Sequence, residues 1–248
     1  MLRGLYTAAS ALLADETWQS VIGNNLDNVE TPGYKADQTV MGEFDAALMS
    51  RVGPSTSPIG ASSAGTGVVE TVANLSEGGL EETGQSLDVA PTGGAWLSVR
   101  TAQGVQYTQD GALSLSPTGE IVNAAGDAVL GTGGRPITLP AGEAVSIAQD
   151  GNVSAGGRVV GRLLLTAFTN PARLEAQGSG LFTAPAAAGA RLYAPGTGVE
   201  AGFLEGSNVN ESELTTELIS AQNSFQANQA SLTTQSQTFG DLIQDLGK

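Results

Sequence analysis

Apolar residues recur with a helical period at the two ends of the chain and with a strand period in between. Near the C-terminus, Leu214, Leu218, Ala221, Phe225, Asn228, Leu232, Gln235, Phe239, Leu242 and Leu246 follow one another in alternating steps of four and three, and only Asn228 and Gln235 are polar. This is the a/d seam of a heptad repeat. No proline follows Pro195, so the pattern predicts one helix from about Ser212 to Leu246, roughly 50 Å long at 1.5 Å per residue. Ser207–Ser212 offers N-cap side chains, and Glu211, Glu213 and Glu217 suit the positive end of the helix dipole. At the N-terminus, Leu2, Leu5, Ala9 and Leu12 repeat at similar spacing. Glu16 and Gln19 interrupt the stripe, and Ile22, Leu26 and Val29 resume it. Thr31-Pro32-Gly33 ends this second predicted helix, since the residue before a proline avoids helical φ/ψ and glycine permits a turn.

The middle, from about Gly53 to Gly206, reads differently. Short apolar runs such as Ala95-Trp-Leu-Ser-Val99, Ala112-Leu-Ser-Leu-Ser116 and Leu163-Leu-Leu165 stand between Gly93-Gly94, Asp110-Gly111, Pro117-Thr-Gly119, Asp150-Gly151 and Gly156-Gly157. Asp-Gly and Gly-Gly steps supply the positive φ of tight hairpins. Strands punctuated this often predict an antiparallel β domain. The expected fold class is α+β, with a middle antiparallel β domain and N- and C-terminal helices whose heptad seams suit pairing as a coiled coil. The expected divisions are 1–30 with 208–248 as a helical domain, 31–80 as an extended or β linker region, and 81–207 as the β domain.

A helix with one apolar stripe must bury it against a partner. Pairing within one molecule would cover the seams, but the rest of the C-terminal helix sharpens the picture. From Leu218 to Gly240 there is no Lys, Arg, Asp or Glu; the positions off the seam are Gln, Asn, Ser, Thr and Ala, with Ile219 the one large apolar exception. A solvated helix ordinarily carries charges there. Neutral amides and hydroxyls can be buried once hydrogen-bonded, without desolvating ions, which suits a helix surrounded by protein.

Composition narrows the chemistry. Among 248 residues, 25 are acidic and 10 basic, giving a net charge of −15. That balance excludes a non-specific nucleic-acid binder, which needs basic surface. With neither cysteine nor histidine, thiol catalysis, disulfides, zinc fingers and Ser-His-Asp chemistry are excluded. Glu81-Glu82 reads as a solvated turn rather than a carboxylate dyad. Asp110-Gly111 and Asp150-Gly151 lack the further oxygen ligands of a calcium loop. Gly131-Thr-Gly-Gly-Arg135 lacks the Lys-Ser/Thr of a phosphate loop and precedes Pro136. No catalytic, metal or cofactor site is expected, and the N-terminus lacks the run of apolar residues that a cleaved signal peptide carries.

The segment Asn24-Asn-Leu-Asp-Asn-Val-Glu-Thr-Pro-Gly-Tyr-Lys35 resembles the signature that follows the N-terminal helix in bacterial flagellar rod and hook proteins. Leu5-Tyr-Thr-Ala-Ala9, Leu87-Asp-Val-Ala90, Tyr107-Thr-Gln-Asp-Gly111 and Gly202-Phe-Leu-Glu-Gly-Ser-Asn-Val-Asn210 are similar to further family segments, in the family's order. The short middle resembles the FlgF-type and FlhO-type branches, with the FlgG-type distal rod protein next and hook proteins lower. Asp27 and Glu30 depart from the family pattern, which has Ala and a neutral residue there.

The resemblance implies a non-enzymatic structural subunit of the flagellar basal-body rod. It would polymerise helically through its terminal helices into an axial drive shaft and export channel. It implies that the motif residues are Asn24, Asn25, Asn28, Thr31, Pro32, Gly33, Tyr34, Leu204, Glu205, Ser207, Asn208 and Val209. The implied partners are other copies, homologous axial proteins and the export apparatus, with no nucleic acid, small-molecule substrate or cofactor. The implied location is the basal body outside the cytoplasmic membrane, reached without a cleaved signal peptide. The residues themselves leave a second reading open, a non-flagellar adhesive module on a helical stalk.

Overall fold

The computed structural model describes residues 2–43, 47–51, 57–62, 65–140 and 142–246. Its elements are α+β: helix α1 (Leu2–Asp27), helix α2 (Glu211–Leu246), and between them short strands whose described registers are all antiparallel. No described helix is long and apolar enough to cross a membrane. The chain divides into two units, one of Met1–Asp27, Asp37–Val72 and Asn210–Lys248, the other of Asn28–Ala36 and Ala73–Val209. These boundaries differ from the expected ones. The segment 28–36 belongs with the β unit, and the strands Asp37–Glu43 and Ala47–Arg51 group with the helices.

In the helical unit, α1 and α2 run antiparallel. A Cβ at Gly4 would meet the Gln235 carboxamide, Asp15 meets Ser224 and Asn228, and Gln19 meets the Ala221 carbonyl. Asn210 caps α2: its Oδ1 accepts the backbone N–H groups of Ser212 at 3.1 Å and Glu213 at 3.3 Å, which occupies donors that the first helical turn leaves unpaired. α1 stops at Asp27, a little before the Pro32-Gly33 signal.

The β unit is organised around the strand Ala95–Thr101. It pairs along one edge with Gly104–Thr108 and along the other with Ala128–Gly131 and Leu165–Phe168. Both of its faces are covered, so Ala95 through Val99 are all buried. Leu97 and Val99 join Val89, Ile121, Val129 and Leu163 in an aliphatic core. On the opposite face, Trp96 meets Phe182 and Phe168 edge-on, with ring centroids 5.0 and 6.2 Å away, and the Ser98 and Thr166 hydroxyls share a hydrogen bond of 3.1 Å. A second, three-stranded sheet runs Val145–Ile147, Asn152–Ala155, Arg158–Arg162. Its first turn uses Gly151 at φ +84°, a conformation that a side chain would strain; the Gly151 N–H donates to the Ala148 carbonyl at 2.8 Å. Gly131–Arg135 is likewise a turn, closed by Gly134 N–H on the Gly131 carbonyl at 3.0 Å. Glu81 and Glu82 are exposed, but they lie in a strand, Leu80–Glu82, paired with Phe203–Glu205 rather than in a loop.

Two acidic side chains come close where Asp88 bridges Ala112. Burial pushes the Asp110 carboxyl above its ordinary range; the Ala112 N–H donating to it at 3.0 Å pulls it down, and the Asp88 carboxylate adds to the upward push. A group that holds its proton more tightly folded than unfolded stabilises the fold on the acid side and costs stability once ionised. Asp110→Asn keeps the acceptor and removes the charge. It is expected to raise the Tm of the β unit at neutral pH by about 2–4 °C, the shift ~1 kcal/mol produces in a chain of this size. The gain should fade as the pH falls through the raised pKa and vanish near pH ~3, below the pKa of an unfolded aspartate. Calorimetry across that range measures it; a gain that persists at acid pH would contradict the assignment.

Candidate assembly site

The sequence-predicted residues fall into two groups, one in each unit. In the β unit, the segment following α1 lies against the segment preceding α2. Gly33, at φ +66°, has no room for a side chain because a Cβ would run into the backbone of Gln109 and Asp110; its N–H donates to the Glu205 carbonyl at 2.6 Å. Tyr34 is buried, and its carbonyl accepts the Asn208 N–H at 3.4 Å. The Lys35 ammonium is 0% exposed and pairs with the Glu205 carboxylate, itself 2% exposed, at 2.6 Å. Lys35 Nζ also donates to the Ser76 carbonyl at 2.8 Å, and Glu205 Oε1 accepts the Gly78 N–H at 2.9 Å. Asn208 closes the arrangement: its Oδ1 accepts the Ala36 N–H at 2.8 Å, and its Nδ2 donates to the carbonyls of Asn74 at 2.7 Å and Ser76 at 3.0 Å. Three stretches far apart in sequence, 33–36, 74–78 and 205–208, are thus fastened by one ion pair and one carboxamide.

Of the other motif residues, Thr31 Oγ1 meets Asn28 Oδ1 at 3.2 Å and the Thr31 N–H donates to the Asn28 carbonyl, forming the turn ahead of Pro32. Ser207 Oγ accepts the Val209 N–H at 3.3 Å, and Leu204 pairs with Glu81 in the strand ladder. Asn25 belongs to the helical unit, where its side chain makes a two-way bond with the Asp37 backbone, both distances 2.8 Å. Asn24 is exposed on α1.

In the helical unit, Leu214 and Ala221 are buried, while Leu218, Phe225, Leu232 and Phe239 are half-buried. Leu242 is exposed. The side chains of Leu2 and Leu246 lie outside those described. On α1, Ile22 is buried and Leu5, Ala9 and Leu12 are half-buried. The deepest α1 positions instead include Ala8, Asp15 and Ile22, seven residues apart, together with Ala14 and Asn25. The Asp15 carboxylate is the reason the apolar pattern misplaces this register. It occupies the seam because Ser224 Oγ and Asn228 Nδ2 reach its Oδ2 at 3.2 and 2.8 Å, so neutral donors on α2 take the place of water. Large apolar groups are left uncovered: Tyr6 at 73% and Leu13 at 66% exposure on α1, and Ile219 and Ile243 on α2.

Among the described residues no group of three or more acidic side chains could hold a metal. What the arrangement can do is hold segments together and offer helix faces to neighbours.

The importance of the ion pair is testable. Lys35→Met strands Glu205 without its cation and is expected to destabilise the β unit by about 3–5 kcal/mol. Lys35→Met with Glu205→Leu removes both charges and should recover at least half of that. Urea unfolding followed by Trp96 fluorescence in a Trp18→Phe background reads both; equal losses would refute the pairing argument.

The chain matches three family models in the order of its elements. Residues 5–35 match "Flagella basal body rod protein", residues 90–155 match "Flagellar hook protein FlgE/F/G D1 domain", and residues 200–245 match "Flagellar basal body rod FlgEFG protein C-terminal". It is 33% identical to the flagellar basal-body rod protein FlgG of Bacillus subtilis, over 98% of each chain. It is 29% identical to the flagellar hook-basal body complex protein FlhO of the same organism, over the whole of both chains. It is also 29% identical to the flagellar basal-body rod protein FlgF of Mesorhizobium japonicum, over 100% of this chain and 99% of that one.

Proposed function

The chain belongs to the flagellar basal-body rod protein family, and from that premise we propose that it polymerises through its paired terminal helices into the rod. It is a structural component, not an enzyme, and its place is the flagellar basal body, among other axial proteins. In the finer reading, α1 and α2 of each copy form a coiled-coil pair. The pairs pack around a shared axis as an inner tube that serves as drive shaft and export channel, and the chain itself leaves the cell through the flagellar export apparatus without signal-peptide cleavage. Matches along the full length to rod proteins favour this over the stalked adhesive module, and FlgG-, FlhO- and FlgF-type relatives are matched to nearly equal degree.

The observation that carries the reading is the pair of helix surfaces a single copy leaves uncovered. Tyr6 and Leu13 are exposed on α1, and α2 has no charge from Leu218 to Gly240. Burying a side chain such as Leu13 against a neighbour is worth roughly 1.5–3 kcal/mol. Neutral Gln, Asn, Ser and Thr beside it can enter the same interface hydrogen-bonded.

Leu13→Asp and Leu232→Asp test it. Leu13 is exposed in the single copy, so Leu13→Asp should leave the helicity of the dilute chain unchanged while abolishing filament formation at high concentration and motility in cells. Leu232→Asp should do the same to assembly while the β unit melts as before. Wild-type motility in both variants would refute assembly through the helices, as would a stable small closed oligomer of the unmodified chain at low concentration.

A further inference from the structure

A cavity of about 480 Å³ opens in the β unit beside the Lys35–Glu205 pair, walled by Val29, Pro32 and Leu204 and by the acidic Glu30 and Glu81. Gly206 contributes a flat wall, and the Glu81 carboxylate lies over it, 3.6 Å from where a Cβ would stand. Among the described residues the one ion pair is Lys35–Glu205. It neutralises the buried carboxylate of the wall and leaves Glu30 and Glu81 without cations. Two uncompensated carboxylates beside apolar walls suit a guest that is a cation on an aliphatic stem.

The same unit carries a projection with the complementary chemistry. The hairpin formed by Asn152–Ala155 and Arg158–Arg162 turns at Gly156-Gly157, and its second strand is the outer strand of the three-stranded sheet. Arg158 is exposed at the tip, and next to it Val159 is 65% exposed. By contrast, Arg100 is held by the Gly134 carbonyl, and Arg162 by the Asp150 carbonyl and the Tyr193 ring. An exposed, apolar outer strand is ordinarily blunted or covered. The Glu143 carboxylate lies against Gly156 in the turn, so the cation the projection offers is the Arg158 guanidinium alone; that arginine followed by exposed valines, and an acidic pocket with apolar walls, match in charge and hydropathy.

We propose that the Arg158-Val159 hairpin tip of one copy docks into the Glu30/Glu81 pocket of the next. The contact is head-to-tail: different patches meet on the two copies, so it need not close on itself and can propagate through an open array. It rests on the filament reading above and assigns that array a second contact, made by the β units. Arg158 supplies the guanidinium to the Glu81 and Glu30 carboxylates, and Val159 covers Val29, Pro32 and Leu204.

The chain lacks cysteine, so an introduced pair reports alone. Full-length chains carrying Glu30→Cys and Val159→Cys are polymerised at high concentration and oxidised. The expected product is a ladder of disulfide-linked copies, absent when either cysteine stands alone. In the cysteine-free chain, Arg158→Glu or Glu81→Arg should each weaken polymer formation about tenfold, the scale of one lost charge pair. The two together should restore it to within about twofold. β-unit melting is followed in every variant and should not change. Polymers that form normally without the ladder, or a double variant as weak as the single ones, would overturn this docking and leave the filament reading standing. A chain that forms no polymer under any condition would overturn both.

Discussion

A lysine ammonium leaves water only where a carboxylate and further acceptors replace its hydration shell. In this protein Glu205 Oε1 and the Ser76 carbonyl do so for Lys35. The requirement ties together chain segments that share no local reason to meet. The ion pair reaches from residue 35 to residue 205, and Gly78 and Ser76 enter because the pair would otherwise lack acceptors and donors. Gly33 contributes by having no side chain: the segment can approach Gln109 and Asp110 closely enough to bring Lys35 under cover. Asn208 then satisfies the backbone on either side of the pair, and Glu205 Oε2 is left as a buried oxygen without a partner.

Some of this was legible in the residues and some was not. Periodicity placed the C-terminal helix to within a residue at its start, and glycine steps marked the hairpins at Gly119, Gly151 and Gly156, because both signals are local and follow from backbone geometry. The seam of α1 was not readable from apolar spacing. Asp15 sits in it, and a carboxylate is interpretable there only once Ser224 and Asn228 are known to face it. The sequence motifs singled out Gly33, Glu205 and Asn208 without showing that they touch. Lys35 had a signal, since a lysine within the motif segment is a candidate partner for the one glutamate of the other motif, but charge alone does not distinguish a buried pair from two solvated ends. The strand Leu80–Glu82 is not legible in the residues for a similar reason: its partner, Phe203–Glu205, lies far along the chain, and the residues themselves are exposed.

The two units handle polarity in opposite ways. In the β unit a buried charge is matched by another charge. In the helical unit Asp15 is matched by neutral donors, and neighbouring positions on α2 are amides and hydroxyls. A neutral donor can exchange one acceptor for another at little cost, whereas an unpaired ion cannot be moved into a protein environment without losing several kcal/mol of hydration. The helices are thereby suited to surroundings that change from solvent to protein.

That difference bears on why an acidic chain would assemble with copies of itself. With a net charge of −15, two copies repel at long range, and salt screens the repulsion only beyond about 8–10 Å. Contacts that hold must either be free of charge, so that approach desolvates nothing costly, or set one of the few cations against the many anions. The stretch from Leu218 to Gly240 meets the first condition. The exposed Arg158 beside Val159, together with a pocket whose Glu30 and Glu81 lack cations, meets the second. A surface bearing scattered acids meets neither, so the same repulsion that opposes random aggregation singles out these patches, and in the proposed array it would favour one register over others.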